Sequence, residues 1–325
     1  MLAGNPNVRK SAFLRLLTLS LLTVQNTALV LLVKYSYRTS AQTYSASSVI
    51  ACSEVVKFLL SGVLLMKLNG QGQAGLCSAL NEISKDGIQL AVPSILYVVQ
   101  NKLLFHAVQL LDPVVYIVCS QSKILWSALF GALLLKTRIT RRQLGGLILL
   151  MYGMTLVQSQ GSSRSRLPIL ADDGGSGKGI LFVLLAGLTS GLAGAQLEKI
   201  YKRSSHGLQY HSLWFRNVQL AFVSIPLAVL SLFIDERQSL GYFNMFSGFD
   251  IVVIGVICLQ AAGGLIIASV MQYATNVLKC FAVSISVCNC ALISTLTSKE
   301  GDHLTMNRLC GSVLVITSTF IYGAK

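Results

Sequence analysis

Charged residues are scarce in this sequence. Only 12% of its 325 residues are Asp, Glu, Lys or Arg, roughly half the share of a typical soluble domain. A water-soluble fold of this size needs a polar surface, and too little polar material is present to make one. Acidic residues are scarcer still, with 12 Asp and Glu against 26 Lys and Arg. Those that fall in apolar stretches (Glu54, Glu198 and Asp112) are scattered along the chain. A membrane-embedded enzyme needs clustered acids to hold a metal or activate a nucleophile, and a proton-driven pump needs an intramembrane Asp/Glu/His relay. Neither pattern occurs. His106, the one histidine well inside an apolar block, has no acidic neighbour and suits helix packing. The expectation is a protein that is not an enzyme, with no catalytic residue, metal ligand or cofactor. The eight cysteines show no metal-ligand spacing and fall mostly in apolar blocks, so they act as small hydrophobes and no disulfide framework is expected. No small-residue cleavage site follows the first apolar block, which is expected to remain as a span.

What the chain does have is long apolar blocks, and 53% of it is hydrophobic. A bilayer core about 30 Å thick needs roughly 20 apolar residues as a helix. Such blocks predict spans near residues 12–34, 45–66, 87–109, 113–135 and 140–160, then 178–201, 211–233, 250–273, 277–299 and 304–323. The net charge of +14 raises nucleic-acid binding, but Lys and Arg sit mostly between the blocks, where they act as topology signals. No nucleic acid is expected as a partner. The short loop 136–142 carries Lys136, Arg138, Arg141 and Arg142, which places it and the N-terminus in the cytosol; an even span count returns the C-terminus there.

The stretch 161–179, rich in Ser and Gly with Asp172 and Asp173, is the one linker-like segment and divides the spans five and five. Leu144-Gly145-Gly146 and its apolar run resemble Leu309-Cys310-Gly311 and its run, each opening a fifth span. Five is odd, so the second half enters the membrane inverted. The expected architecture is all-α and integral to the membrane, with ten transmembrane helices in two inverted five-helix repeats. The first repeat is 1–160, a lumenal linker covers 161–179, and the second repeat is 180–325. Inverted repeats are a transporter architecture.

Five basic residues fall inside these spans: Lys57, Lys102, Lys123, Arg216 and Lys279. A lysine at mid-helix costs roughly 2.5–3.5 kcal/mol on insertion scales, so it persists where it meets water or a partner. Lys57 has Glu54 three residues before it, which predicts a local ion pair. Arg216 has Glu198 as a candidate partner, with a substrate role as the alternative. Lys123 and Lys279 have no acid within two helical turns. Lys123 shares a face with Tyr116 and Ser120, and Asn276 lies one turn before Lys279. Two such cations facing one cavity suit an anion, phosphate above all; snorkelling to an interface is the competing account. Ser94, Tyr97, Asn101 and Phe105 form a stripe of helical spacing that fits either helix packing or contact with a base and its sugar. Ser190, Gly191 and Gly194 likewise fit either close packing or approach of a flat ligand.

The stretch from Pro93 to Lys123, PSILYVVQNKLLFHAVQLLDPVVYIVCSQSK, resembles the nucleotide-sugar transporters of the UDP-galactose, UDP-N-acetylglucosamine and CMP-sialic acid group. That group reads P-S-x-x-Y-x-x-Q-N-N and then L-D-A-x-x-Y-Q-V-x-Y-Q-L-K-I. Further matches are Ser190 to Gly194, Glu198-Lys199, Trp214 to Gln219, Gly263-Gly264 through Tyr273, Asn276 and Lys279, and Tyr322-Gly323, so the resemblance runs nearly the whole chain in order. It implies the drug/metabolite transporter fold. It also implies an antiporter of the Golgi membrane, or of the endoplasmic reticulum, that exchanges a cytosolic nucleotide sugar for a lumenal nucleoside monophosphate.

UDP-galactose or UDP-N-acetylglucosamine is the expected cargo, with CMP-sialic acid transport or general metabolite export by the same fold as alternatives. Partners are then the nucleotide sugar, the monophosphate and membrane lipid, and a homo-oligomer is compatible with this. The resemblance places substrate contacts at Asn101, Tyr116, Lys123, Lys279, Ser190, Gly191 and Asn217. Tyr97, Lys102, Ser120, Gly194 and Asn276 complete the candidate set. Lys102 stands where the family has its second Asn, Thr275 replaces an aspartate, and Cys280 replaces a glycine.

Overall fold

The computed structural model describes residues 6–39, 44–68, 72–111, 113–158, 175–206, 213–238, 246, 248–297 and 306–323. Asp112 and linker residues 161–174, with Asp172 and Asp173, lie outside the described residues. The described residues form eleven α-helices: α1 Pro6–Thr39, α2 Ala46–Leu68, α3 Gly72–Leu110, α4 Pro113–Ser120, α5 Ser122–Leu135, α6 Arg141–Gln158, α7 Gly175–His206, α8 Leu213–Gln238, α9 Ile251–Tyr273, α10 Asn276–Thr297 and α11 Met306–Gly323. Helices occupy all ten apolar blocks.

Among the described residues, seven helical stretches are long and apolar enough to cross a membrane: Lys10–Ser36, Ala46–Lys67, Val115–Leu135, Gly177–Lys202, Leu213–Phe233, Ile251–Tyr273 and Asn276–Thr295. With its hydrophobic composition, this makes the chain an all-helical integral membrane protein. α6 and α11 are 18 residues each, about 27 Å at 1.5 Å per residue, and α6 opens on Arg141 and Arg142.

Two elements differ from the apolar blocks. α3 starts at Gly72, well before the expected 87. Residues 72–86, with Asn81, Glu82, Lys85 and Asp86, are polar but contain good helix formers, so the helix continues past the apolar stretch. The block 113–135 is divided at Gln121. Its backbone stays right-handed (φ −67°, ψ −18°), but the bonds tighten to i→i+3: Gln121 N–H donates to the Val118 carbonyl at 3.2 Å and Ile124 N–H to the Gln121 carbonyl at 3.0 Å. Such short bonds mark discontinuities in helices.

Local signals set the helix ends. Thr140 and Gln143 form a reciprocal capping box at the start of α6, Thr140 N–H donating to Gln143 Oε1 at 3.0 Å and Gln143 N–H to Thr140 Oγ1 at 3.3 Å. Asp250 caps α9 by accepting from Val253 N–H at 2.8 Å. Lys136 ends α5 in the left-handed region (φ 55°).

The chain forms two compact units. One is Met1–Val98 with Leu197–Thr275, the other Val99–Gln196 with Asn276–Lys325, so each draws on both sequence halves. In the first unit α1 packs on α9 and α2 on α8 and α9. Gln25 of α1 donates Nε2 to the Leu259 carbonyl at 3.0 Å and occupies the space left by Gly263, where a Cβ would overlap its amide. α2 and α8 run antiparallel, with Phe58 beside Phe222 and Leu65 against Phe215 and Val218. In the second unit α6 and α11 lie along each other, also antiparallel. Gly146 meets Ser318 and Tyr322, and Gly153 meets Gly311 so closely that a Cβ on Gly311 would stand 2.7 Å from the Gly153 carbonyl oxygen. Backbones approach like this only through small residues.

Candidate functional site

The two units treat their intramembrane cations differently. In the first, Lys57 Nζ lies 2.5 Å from Glu54 Oε2, the local ion pair that the i,i+3 spacing predicts. Gly264 leaves room for the Lys57 stem, since a Cβ there would stand 2.7 Å from Lys57 Cδ. Lys202 pairs with Glu198 at 2.5 Å, and Arg216 donates to Gln219 Oε1 at 2.9 Å. In the second unit Lys102, Lys123 and Lys279 sit on α3, α5 and α10, and the described residues of that unit include no Asp or Glu.

α7 gives a scale on which these lysines can be placed. At the end of α3, Leu111 Cγ lies 2.6 Å from where a Cβ on Gly179 would stand. Ala107 packs with Val183, and the rings of His106 and Phe182 are 6.3 Å apart. α3 therefore runs antiparallel to α7, and residues 102–103 fall level with Gly187. At that level a Cβ on Gly187 would stand 2.9 Å from Ser122 Oγ and 3.3 Å from the Lys123 backbone N. One turn on, a Cβ on Gly191 would stand 2.7 Å from the Trp126 carbonyl carbon and 2.8 Å from the Ser127 N. Ser127 Oγ is also 3.8 Å from Cys280 Sγ, which puts Lys279 near the Gly191 level. Further along, Asn276 fills the space at Gly194, its amide overlapping a would-be Cβ. Lys102 and Lys123 thus lie near one level and Lys279 one turn away, all within a slab about 6 Å deep at 1.5 Å per residue. Lys123 is exposed, and Lys102 and Lys279 are half-buried.

The remaining candidates distribute as follows. Ser190 adjoins Gly191 on α7, and Asn276, buried, opens α10 three residues before Lys279. Tyr116 packs with Ala107, Leu111 and Val183. Ser120 donates to the Ile117 carbonyl at 2.8 Å, so its proton is engaged within α4. Asn101 is exposed, one residue before Lys102. All of these belong to the second unit. Tyr97 and Asn217 belong to the first. Tyr97 packs beside Leu197, Tyr201, Ala268 and Met271. Buried Asn217 accepts from Tyr201 Oη at 2.7 Å, while its Nδ2 meets no acceptor among the described residues.

The contacts add Gly187, Ser122, Trp126 and Ser127 to the candidate set. Gly187 was accessible to sequence reasoning as the residue one turn before Gly191 on the same stripe; the other three needed the α5–α7 packing.

The described residues thus form an all-helical membrane core with paired charges in one unit and lysines on α3, α5 and α10 of the other. Residues 10–323 match the family described as nucleotide-sugar transporter. The chain belongs to that family. It is 37% identical to a UDP-N-acetylglucosamine/UDP-N-acetylgalactosamine transporter of Caenorhabditis elegans, over 96% of this chain and 94% of that one. It is 34% identical to the UDP-N-acetylglucosamine transporter of Bos taurus, over 96% of each. To the UDP-galactose translocator of Mus musculus it is also 34% identical, over 95% of this chain and 78% of that one. One protein of known crystal structure shares the fold at 10% identity, with a TM-score of 0.64 over 97% of each chain.

Proposed function

We propose that this protein is an antiporter that carries a UDP-sugar, UDP-galactose or UDP-N-acetylglucosamine, from the cytosol into the Golgi lumen and returns the nucleoside monophosphate. The observation that carries this is the placement of Lys123 and Lys279 about one turn apart along α7, in a unit whose described residues include no carboxylate. Phosphate oxygens are the complementary charge, and lysine binds them as a point charge. The relatives named above carry UDP-sugars, which favours uridine over cytidine.

In this mechanism Lys123 and Lys279 hold the phosphate, while Asn101, Tyr116, Ser120, Ser190 and Asn276 of the same unit contact the nucleoside and sugar. Gly191 and Gly194 keep α7 close to α5 and α10. Sugar donor and monophosphate share base and phosphate, so one set of contacts binds both. Exchange follows because loaded protein passes between inward- and outward-open states more readily than empty protein. Ten spans in two inverted five-helix repeats, first half 1–160 and second 180–325, are part of the proposal. It draws support from helix packing within each unit: α2 against α8, and α6 against α11, are equivalent positions of the two halves and run antiparallel.

The test is uptake of labelled nucleotide sugars into proteoliposomes preloaded with UMP, CMP or GMP, wild type beside Lys279→Ala. Internal UMP should accelerate uptake of a UDP-sugar, and the variant should lose that acceleration. Acceleration by CMP and uptake of CMP-sialic acid would move the cargo to the cytidine member of the group. No acceleration by any of the three, from folded protein, would remove the antiport proposal.

A further inference from the structure

We propose that the loop between α5 and α6, residues 136–142, binds the anionic headgroup of a membrane phospholipid. It is a different place from the lysines assigned to phosphate above, and its failure leaves the transport proposal untouched.

The loop holds Lys136, Arg138, Arg141 and Arg142, four cations in seven residues, and all four are exposed. The described residues of its unit include no Asp or Glu. Its backbone is held in place at both ends. Lys136 takes the left-handed conformation (φ 55°), Thr137 Oγ1 donates back to the Gly131 carbonyl at 3.0 Å, and Thr140 and Gln143 cap α6 reciprocally.

Arg141 and Arg142 open α6, whose first turn has no acid, and cations there oppose the helix dipole. The first backbone bond at this end runs from Leu144 N–H to the Thr140 carbonyl at 3.0 Å, and Thr140 Oγ1 takes the N–H of Gln143. The N–H groups of Arg141 and Arg142 come before both, where helix N-termini receive phosphate. A phosphodiester placed there turns an unfavourable arrangement into a favourable one, because it meets two guanidinium groups and the positive end of the helix together.

Placement selects the source of that phosphate. The candidate span Val115–Leu135 ends where the loop begins, so the loop stands at the headgroup level. Ile139, 37% exposed, lies between Arg138 and Thr140. An exposed apolar residue flanked by cations suits a lipid surface, where the charges meet phosphate and the side chain meets the acyl boundary. Free phosphate offers only the first contact.

The test measures lipid bound to the purified full-length protein in uncharged detergent, by native mass spectrometry, with phosphatidylserine and phosphatidylcholine as probes. Wild type is compared with the triple variant Arg138→Gln, Arg141→Gln, Arg142→Gln. A charge-matched control carries Lys10→Gln, Arg15→Gln and Lys67→Gln, at exposed positions elsewhere. A Lys or Arg near an anionic surface is worth about fivefold in affinity. The loop variant should therefore bind phosphatidylserine on the order of 100-fold more weakly, and the control should stay within about fivefold of wild type. Phosphatidylcholine should bind all three alike. Melting without lipid checks folding, and the loop variant should melt no lower than wild type because the cations it loses at α6 opposed the dipole. Arg138→Gln alone, with about a fivefold loss expected, replaces the triple variant if that one fails to fold.

Unchanged phosphatidylserine binding by the folded loop variant overturns the inference. Equal losses in loop variant and control overturn it too, since net charge then explains them. Displacement of phosphatidylserine by inorganic phosphate at equal concentration gives the loop to a free anion instead of a lipid. A polyglutamate peptide that binds where phosphatidylserine does not, and is lost in the loop variant, gives it to an acidic protein; either result removes the lipid site.

Discussion

Gly191→Ala, compared with Gly131→Ala, isolates the cost of crowding α7 against α5. Both glycines are buried in helices. Adding a methyl to either removes backbone freedom from the unfolded chain, a gain of about 0.5–1 kcal/mol that is common to both. At Gly131 nothing lies within 4 Å of the added Cβ. At Gly191 the Cβ would stand 2.7 Å from the Trp126 carbonyl carbon and 2.8 Å from the Ser127 N. Ordinary carbon contacts begin near 3.5 Å, so α5 must retreat by about 0.8 Å, and the obstacle is main chain that cannot rotate away.

Overpacking of this kind costs about 1–3 kcal/mol. Because the propensity gain cancels between the two variants, that range is also the expected difference between them. At roughly 2–4 °C per kcal/mol it spans a few degrees to about ten degrees. Thermal melting in detergent reads it directly. The retreat also carries Ser122 and Lys123 away from Gly187, so UMP-accelerated uptake should fall in Gly191→Ala and persist in Gly131→Ala. If the two variants melt within a degree of each other and transport equally, the close α5–α7 contact is wrong.

Three further outcomes follow from the contacts. Lys57→Met strands Glu54 in the core and should cost roughly 3–5 kcal/mol, with the double variant Glu54→Gln, Lys57→Met recovering much of the loss; a double-mutant cycle on melting would sink the pairing if the two changes were additive. Tyr201→Phe leaves the Asn217 Oδ1 without its donor inside the bundle, a loss of about 1–3 kcal/mol, and an unaltered melting temperature would show that water or another group substitutes. Asp250→Ala removes the cap on the first turn of α9 and should lower stability by about 1 kcal/mol, with Asp250→Asn nearly neutral; equal losses for both would point to charge rather than to the hydrogen bond.

Most of the helices were legible because they lie in apolar blocks of about bilayer length, a signal that survives without knowledge of packing. The Glu54–Lys57 pair was legible for a similar reason, since both partners sit on one face of one helix. The break at Gln121 was not. Ser120, Gln121 and Ser122 include neither Gly nor Pro, and tightening of the bonds depends on what the segment packs against. The polar extension of α3 from Gly72 was also hidden, because hydropathy reports only the part of a helix that meets lipid. Residue types at the site could be read from sequence and resemblance. The common level of Lys102 and Lys123 could not, because it depends on how α3 and α5 are threaded along α7, a tertiary register that no local pattern encodes. Asn217 is the sharpest case: resemblance gives it to the nucleoside, and only the packing of α7 on α8 reveals that Tyr201 already occupies its oxygen.

The two-residue link between α9 and α10 has a consequence during synthesis. α9 is the most apolar of the seven candidate spans, whereas α10 carries Lys279 in its first turn and takes that cation to the bilayer before the folded protein surrounds it. Ala274 and Thr275 extend to only about 7 Å, too little slack for α10 to be left behind once its neighbour has partitioned. The pair is therefore expected to insert as one unit, the more apolar helix favouring entry of the one that carries the charge. A longer, flexible spacer at this point would let the second helix be judged on its own merits. The damage would then appear as failed assembly in the endoplasmic reticulum rather than as a slower carrier in the finished membrane.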